Sequence, residues 1–150
     1  MMRTLAILAL LLALVVGTAS AHPKSETLPF ARSATGWILI HAKINGNPGV
    51  FVFDTGAVDC FASPELIGEK NVGVKSTVHY LGGKQTFRRV PATVSLGENN
   101  FGVDVLLGST DDLSALAKTQ IDGIIGLSVL SHYEKITIDF KLQVFTLEAR

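Results

Sequence analysis

The sequence predicts a mainly β domain, a small closed β-barrel with one or two short helices. Two observations favour this fold class. Apolar segments of strand length follow one another between residues 37 and 147, and turns rich in glycine and asparagine separate several of them. Only a few short stretches have the composition of helices. Many short strands joined by hairpin turns are typical of small closed β domains.

The bulk composition excludes several classes of function. The chain has 150 residues, which is enough for one domain, and its 13 basic and 13 acidic residues balance, so no nucleic-acid surface is expected. Cys60 is the single cysteine, which excludes an internal disulfide, and we expect it to be buried. The four histidines are scattered, so we predict no metal and no cofactor. Motifs of serine hydrolases, zincins and nucleotide-binding loops do not occur.

Residues 1–21 have the pattern of a secretory signal peptide. Arg3 gives the N-terminal region its positive charge, and the apolar segment 5–16 that follows is short for a membrane span. Ala19-Ser20-Ala21 fits the small-x-small rule for signal-peptide cleavage. We therefore predict a mature chain that starts at His22, is periplasmic or secreted, and has no stable membrane span. An uncleaved N-terminal anchor is the alternative.

Residues 22–35 are predicted to form an extended N-terminal arm, within which 22–34 is the candidate for a removable propeptide. The domain proper then spans residues 36–150. It begins with a predicted β-hairpin over 37–53, because apolar and polar residues alternate on both sides of a dense turn signal. Four aliphatic residues of its first strand share the inner face, and three residues are expected to face outward: Leu39, His41 and Lys43.

The rest of the domain alternates hairpins with short helices. In the second predicted hairpin, residues 85–90 form the returning strand. A separate strand over 92–96 begins the third predicted hairpin. Ser63 is the predicted N-cap of the first helix, and Asp111 and Asp112 are interpreted as solvated capping residues. The predicted elements are a short helix at 63–68, hairpins over 72–90 and 92–107, a helical turn at 109–118, a buried strand at 124–125, a short helix at 127–133 and a last hairpin over 136–147.

The stretch that carries chemistry follows the first hairpin. Three apolar residues, 51–53, run directly into Asp54-Thr55-Gly56-Ala57. The apolar run suits a buried strand, and a carboxylate at its end lies at the edge of the core, where its surroundings can tune its pKa. Gly56 allows a sharp turn and a close approach by another group. Taken alone, the tripeptide is also compatible with a strand that ends in an ordinary turn.

Three features, in this order, resemble the retropepsin-like aspartic protease family. The first is the apolar strand that ends in Asp54-Thr55-Gly56-Ala57. The second is a glycine-bearing hairpin tip at 80–84, where the family has its flap. The third is Ile124-Ile125-Gly126 followed by a short helix, and the resemblance implies that this segment packs beside the loop that carries Asp54. The stretch 122–140 is similar to bacterial secreted members with a single Asp-Thr-Gly. The resemblance covers about residues 37–147.

The resemblance implies an aspartic endopeptidase in which two carboxylates share one proton and activate a water. Since the chain holds one Asp-Thr-Gly, it also implies a homodimer in which Asp54 of each copy faces the other. By the family pattern, Thr55 would hydrogen-bond the opposite loop, and Gly56 would let the backbone approach the substrate. The implied catalytic residues are Asp54, Thr55 and Gly56, and those implied to bind an extended peptide or protein substrate are Ala57, Asp59, Gly82 and Gly83.

One departure from the family pattern and one position with two interpretations keep alternatives open. Many members place Ser or Thr where this chain has Val58, which removes one possible hydrogen bond near the loop. Asp59 is equally compatible with a solvated turn. A non-catalytic peptide-binding module with the same fold is therefore the alternative function. The two functions differ in whether the last hairpin, 136–147, forms a sheet between two subunits.

Overall fold

A computed structural model describes residues 25–68, 73–80 and 82–150. The predicted signal peptide and the first residues of the predicted arm lie outside the described residues. The chain folds mainly as strands, which confirms the predicted mainly β class. The strands are β1 (Ser25–Pro29), β2 (Ala31–Arg32), β3 (Ile38–Ile44), β4 (Asn47–Phe53), β5 (Cys60–Ala62), β6 (Val74–Tyr80), β7 (Gly83–Leu96), β8 (Asn99–Leu107), β9 (Gly123–Ile125), β10 (Tyr133–Asp139) and β11 (Val144–Ala149).

The helical elements are short. They are a 3-10 turn (Pro64–Leu66), α1 (Asp111–Ala117) and α2 (Leu127–Leu130). The predicted helix at 63–68 is therefore a single tight turn, and the Ser63 hydroxyl donates to the Glu65 carboxylate instead of capping the backbone. The helix predicted at 127–133 ends at Leu130, because the chain enters β10 at Tyr133. No helix within the described residues is long and apolar enough to span a membrane.

The larger sheet closes on itself. Its strands follow the order β2-β3-β4-β9-β5-β8-β7-β6, and β3 also pairs with β7. The strands from β3 through β4, β9, β5, β8 and β7 back to β3 therefore form a ring of backbone pairings. Inside this ring lies a core of fully buried apolar side chains, among them Ile44, Phe51, Val90, Val94 and Val105.

The first predicted hairpin is confirmed, with one difference in burial. β3 pairs antiparallel with β4 from Leu39↔Val52 to Ile44↔Asn47, and His41 and Lys43 are exposed as predicted. Leu39, however, is only 6% exposed. It belongs to a second, smaller apolar cluster with Val52, Ala117 and Ile121, because α1 and the segment after it cover the outer face of β3 and β4.

The second and third hairpins share one long strand. β7 runs for 14 residues through Pro91, so the prediction of separate strands over 85–90 and 92–96 is wrong. β7 pairs with β6 only as far as Arg89 and with β3 only from Val94, whereas β8 accompanies it throughout this region. Within the described residues, Pro91 thus lies where the strand has a partner on one side only, and a strand tolerates proline at such a position.

The N-terminal arm is part of the sheets. β1 pairs antiparallel with β11 over five residues, and β2 pairs with β3. The Glu26 carboxylate accepts hydrogen bonds from the backbone N–H of Glu98 at 3.0 Å and from Nδ2 of Asn99 at 3.2 Å. Residues of the candidate propeptide therefore hold both the C-terminal strand and the turn between β7 and β8.

The last hairpin has the predicted position. β10 and β11 pair antiparallel, and β1 completes a three-stranded sheet in the order β1-β11-β10. This sheet packs on the barrel through aromatic contacts, since the ring of Phe145 lies 4.6 Å from that of Phe53 and 5.0 Å from that of Phe30. Phe53 directly precedes Asp54, so the small sheet supports the strand that carries this carboxylate.

Candidate active site

Asp54 lies at the point where two distant parts of the sequence form a parallel pair. β4 and β9 pair in parallel, with Phe51 opposite Gly123 and Phe53 opposite Ile125. The backbone N–H of Asp54 then donates to the carbonyl of Ile125 at 3.1 Å. The predicted buried strand at 124–125 therefore lies beside the strand that ends in Asp54. Ile125 is fully buried, whereas Ile124 is partly exposed and faces the cleft.

The turn after Asp54 folds around the carboxylate. The backbone N–H of Gly56 donates to Oδ1 of Asp54 at 2.8 Å, and the N–H of Ala57 approaches the Asp54 carbonyl at 3.4 Å. Asp54 is half-buried, whereas Thr55 and Gly56 are exposed on the turn. The turn thus fixes the orientation of one carboxylate oxygen and leaves the adjacent hydroxyl and glycine on the surface.

The start of α2 holds this loop in place. The backbone N–H groups of Leu127 and Ser128 donate to the carbonyls of Ala57 and Val58, each at 2.8 Å. Gly126 permits this approach: a Cβ there would lie 2.4 Å from the Asp59 carbonyl oxygen and 2.7 Å from that of Ala57. The Ile-Ile-Gly segment and the Asp-Thr-Gly loop are therefore in direct backbone contact.

Ser128 is a supporting residue that sequence reasoning missed. Its hydroxyl accepts a hydrogen bond from the backbone N–H of Cys60 at 3.1 Å and lies 3.3 Å from Sγ of Cys60. Cys60 is fully buried, as predicted, and this burial raises the pKa of its thiol, which stays neutral. No sequence signal links the two residues, because 68 positions separate them.

Asp59 is engaged within the chain. Arg89 of β7 donates from Nη1 and Nη2 to the two carboxylate oxygens of Asp59, at 2.7 Å and 2.8 Å. This contact raises the pKa of the Arg89 guanidinium. Asp59 is one of the four residues that the resemblance assigns to substrate binding. It lines the cleft, but its carboxylate is already bound by Arg89 of the same chain. Sequence reasoning did not identify Arg89.

A cleft of about 640 Å³ opens beside Asp54. Residues 54–59, called the Asp54 loop below, form one side, the β6–β7 hairpin forms another, and the start of α1 forms the rim. Its lining residues are Asp54, Gly56, Ala57, Val58, Asp59, Phe61, Val78, His79, Gln85, Phe87, Leu106, Ser109, Asp111, Asp112, Leu113 and Ile124. A concave, mostly apolar site with a few polar groups is typical of ligand binding.

The predicted flap is a hairpin, and its strands line the cleft. β6 and β7 pair from Val74↔Arg89 to Tyr80↔Gly83. Gly82 and Gly83 lie at its exposed tip and are not among the residues that line the cleft in this single chain. Gly83 has φ +138°, which side-chain-bearing residues rarely adopt. Gly83 therefore shapes the turn, and the strands below it contact the cleft.

Other acidic side chains near the site have separate structural roles. Asp111 accepts a hydrogen bond from the Ser109 hydroxyl at 2.7 Å, and with Asp112 it forms part of the cleft rim, a position that sequence reasoning missed. Asp122 accepts from the backbone N–H of Val50 at 2.8 Å and so fastens β4. Within the described residues, no three His, Cys, Asp or Glu side chains form a group that could hold a metal ion.

One of three comparisons with known proteins identifies the fold. No protein-family model matches the chain, and no curated protein sequence matches it. Among solved structures, a retropepsin-like aspartic protease from Rickettsia conorii is similar to it, with a TM-score of 0.58 and 19% sequence identity. The similarity covers 84% of this chain and 93% of the other. The chain therefore has the fold of a retropepsin-like aspartic protease.

Proposed function

We propose that the protein is an aspartic endopeptidase that works as a homodimer. One observation carries the proposal: Asp54 stands on a turn at the end of a buried strand, with its carboxylate oriented by the Gly56 N–H, at the side of a cleft large enough for peptide side chains. One chain supplies one such carboxylate. Two copies that meet around Asp54 would supply the pair of carboxylates that the aspartic-protease mechanism requires.

The chemistry follows from two like charges in one site. Two Asp54 carboxylates that face each other share one proton, as is known for aspartic proteases as a class. The charged carboxylate takes a proton from a water, which attacks the peptide carbonyl carbon. The protonated carboxylate polarises the carbonyl oxygen and then supplies the proton with which the amine leaves. Because the mechanism needs one proton on the pair, we expect activity to be favoured below neutral pH.

The three-stranded sheet is the proposed contact between the two copies. β11 already has partners on both sides, β1 and β10, so it cannot be the strand that adds to a second copy. Within the described residues β10 has a backbone partner on one side only, and the turn after it exposes two large apolar side chains, Phe140 at 58% and Leu142 at 69%. We propose that β10 and this turn form the intersubunit part of the last hairpin.

We also propose that the protein is a bacterial secreted type and acts outside the cytoplasm, in the periplasm or beyond it. The support is the pattern of residues 1–21, with a short apolar segment and the Ala19-Ser20-Ala21 cleavage signal. N-terminal sequencing of the protein recovered from the producing cell tests this. A mature chain that starts at His22 is the expected result, and a retained leader in the cell membrane would favour the anchor.

Peptide cleavage by the chain without residues 1–21, measured from acid to neutral pH, tests the activity. We expect cleavage that pepstatin inhibits and that rises more steeply than linearly with protein concentration. Asp54→Asn should abolish it, whereas Asp104→Asn, which changes an exposed carboxylate outside the cleft lining, should leave it unchanged. Cleavage that survives Asp54→Asn would contradict the proposal.

The alternative is a peptide-binding module without catalysis. The observation in its favour is that a single chain keeps the whole cleft described above but has one Asp-Thr-Gly carboxylate, which cannot activate water by the paired mechanism. A folded, dimeric protein that binds peptides in the cleft and cleaves none of them at any pH would establish this function instead.

A further inference from the structure

We propose that Arg89 is a positioning residue, which ties the flap hairpin to the loop that carries Asp54 through its ion pair with Asp59. The flap hairpin consists of β6 and residues 83–89 of β7. As a role in catalysis, this rests on the proposed function. The contact assigns Asp59 a role within the chain, in place of direct substrate binding.

The geometry of the pair is that of a rigid connection. The two terminal nitrogens of Arg89 each contact a different oxygen of Asp59, at 2.7 Å and 2.8 Å. The side chains are 28% and 20% exposed, so water reaches the pair only in part. A guanidinium that meets a carboxylate in this two-pronged way constrains orientation as well as distance, which a lysine cannot do.

Arg89 connects three segments. It belongs to β7, where it pairs with Val74 of β6, and its Nε lies 3.3 Å from the hydroxyl of Ser76 on β6. Its partner Asp59 follows Asp54 by five positions and directly precedes β5. Arg89 therefore connects both strands of the flap hairpin with the end of the Asp54 loop.

A ring pair beside the ion pair strengthens the same connection. Phe61, two residues after Asp59, packs edge-to-face on Phe87, two residues before Arg89, with ring centroids 5.5 Å apart. Phe87 and Arg89 lie two apart on β7 and therefore share a face of that strand. Phe61 and Phe87 both line the cleft. The ion pair lies at the end of the hairpin away from its tip, and there it sets how the two strands face the Asp54 loop.

Loss of the pair should loosen the hairpin without removing a reacting group. The carboxylate of Asp54 has its own contact with Gly56, which does not involve Arg89. We therefore expect Arg89→Gln to raise KM for a peptide by about three- to tenfold, the range for the loss of a charged, partly exposed hydrogen-bonded pair, with a much smaller change in kcat.

Hydrogen exchange of the intact protein tests the connection independently of activity. In Arg89→Gln, backbone amides of residues 74–80 and 83–88 should exchange at least about fivefold faster than in the wild type. Arg88→Gln is the matched control, since it removes the same charge from the neighbouring, exposed position of β7. Equal exchange in the two variants would overturn the proposal. If Arg89→Gln fails to fold, Arg89→Lys keeps the charge, loses the two-pronged contact and should still exchange faster than Arg88→Gln.

A charge reversal separates positioning from substrate binding. Asp59→Asn and Arg89→Gln should raise KM alike, and the double variant Asp59→Arg/Arg89→Asp should recover most of the wild-type KM. If Asp59 instead contacts the substrate directly, the reversal would not recover KM, and the proposal would be wrong. A wild-type protein that cleaves no peptide would defeat the proposed function, and hydrogen exchange would still decide whether Arg89 holds the hairpin.

Discussion

At the scale of single residues, the site depends on how closely backbone segments approach one another. Gly126 is the clearest case. Its φ of −106° is ordinary, so conformational freedom does not explain the glycine. The reason is space, because the carbonyl oxygens of Ala57 and Asp59 occupy the volume that a Cβ would need.

Gly126→Ala should therefore destabilise the fold and disturb the Asp54 loop. We expect a loss of about 1–3 kcal/mol in the free energy of unfolding, which is typical of overpacking, measured by chemical denaturation. Gly102→Ala is the control, since a Cβ at that position would have no neighbouring atom within 4 Å and the φ of Gly102 is not in the left-handed region. Equal stability of the two variants would contradict this explanation of Gly126.

The buried thiol of Cys60 provides a test of packing behind the loop. Because burial raises its pKa, the folded chain favours the neutral thiol. Stability should not depend on this group below its ordinary pKa of 9.0 and should fall as the pH rises above that value, since the unfolded thiol ionises first. At neutral pH we expect a thiol reagent to label Cys60 only after unfolding in guanidinium chloride. Rapid labelling of the native protein would show that the region behind the loop opens.

At the scale of elements, β1 connects the beginning of the described chain to its end. Its five pairings with β11 and the contacts of Glu26 with the turn at 97–99 make it structural. A propeptide that is removed for activation would have to be dispensable for the fold, which does not agree with these contacts.

Removal of β1 should therefore lower stability. A chain that starts at Phe30 should unfold at lower denaturant concentration than one that starts at Ser25, by roughly 1 kcal/mol for each backbone hydrogen bond lost. The chain that starts at Ser25 keeps β1 and is the matched control. If both chains unfold at the same denaturant concentration, residues 25–29 are dispensable and can serve as a propeptide.

At the scale of the whole molecule, the proposed activity belongs to the pair of chains. Wild-type protein mixed with an equal amount of Asp54→Asn should form mixed dimers with one intact carboxylate. If subunits exchange at random, the activity of each wild-type chain should fall to about half. Addition of an equal amount of Asp104→Asn, which is itself expected to be active, should leave the activity per active chain unchanged. Undiminished activity in the Asp54→Asn mixture would show that one chain suffices.

Much of the fold could be predicted because local patterns record burial and turns. The alternation around residues 45–49 predicts the β3–β4 hairpin, and the glycines at 82 and 83 mark the tip of the next one. The same information predicts the wrong surroundings for Leu39 and a break at Pro91. Periodicity distinguishes the two faces of a strand. It does not show that α1 covers the outer face or that, in the part of the chain that the structure describes, β7 has a partner on one side only at the proline.

The order of residues was enough to predict the fold class, the hairpins and the position of Asp54 at the end of a buried strand, since each of these depends on neighbours in the chain. The family resemblance implies that the segment 124–126 packs beside the loop that carries Asp54, and the folded chain shows how: β4 pairs with β9, and the start of α2 contacts the loop. The pairing of β1 with β11 and the contact of Arg89 with Asp59 became known only from the folded chain. These contacts join residues from 30 to more than 100 positions apart. Their formation depends on how complementary surfaces pack in three dimensions, which no local pattern of residues encodes.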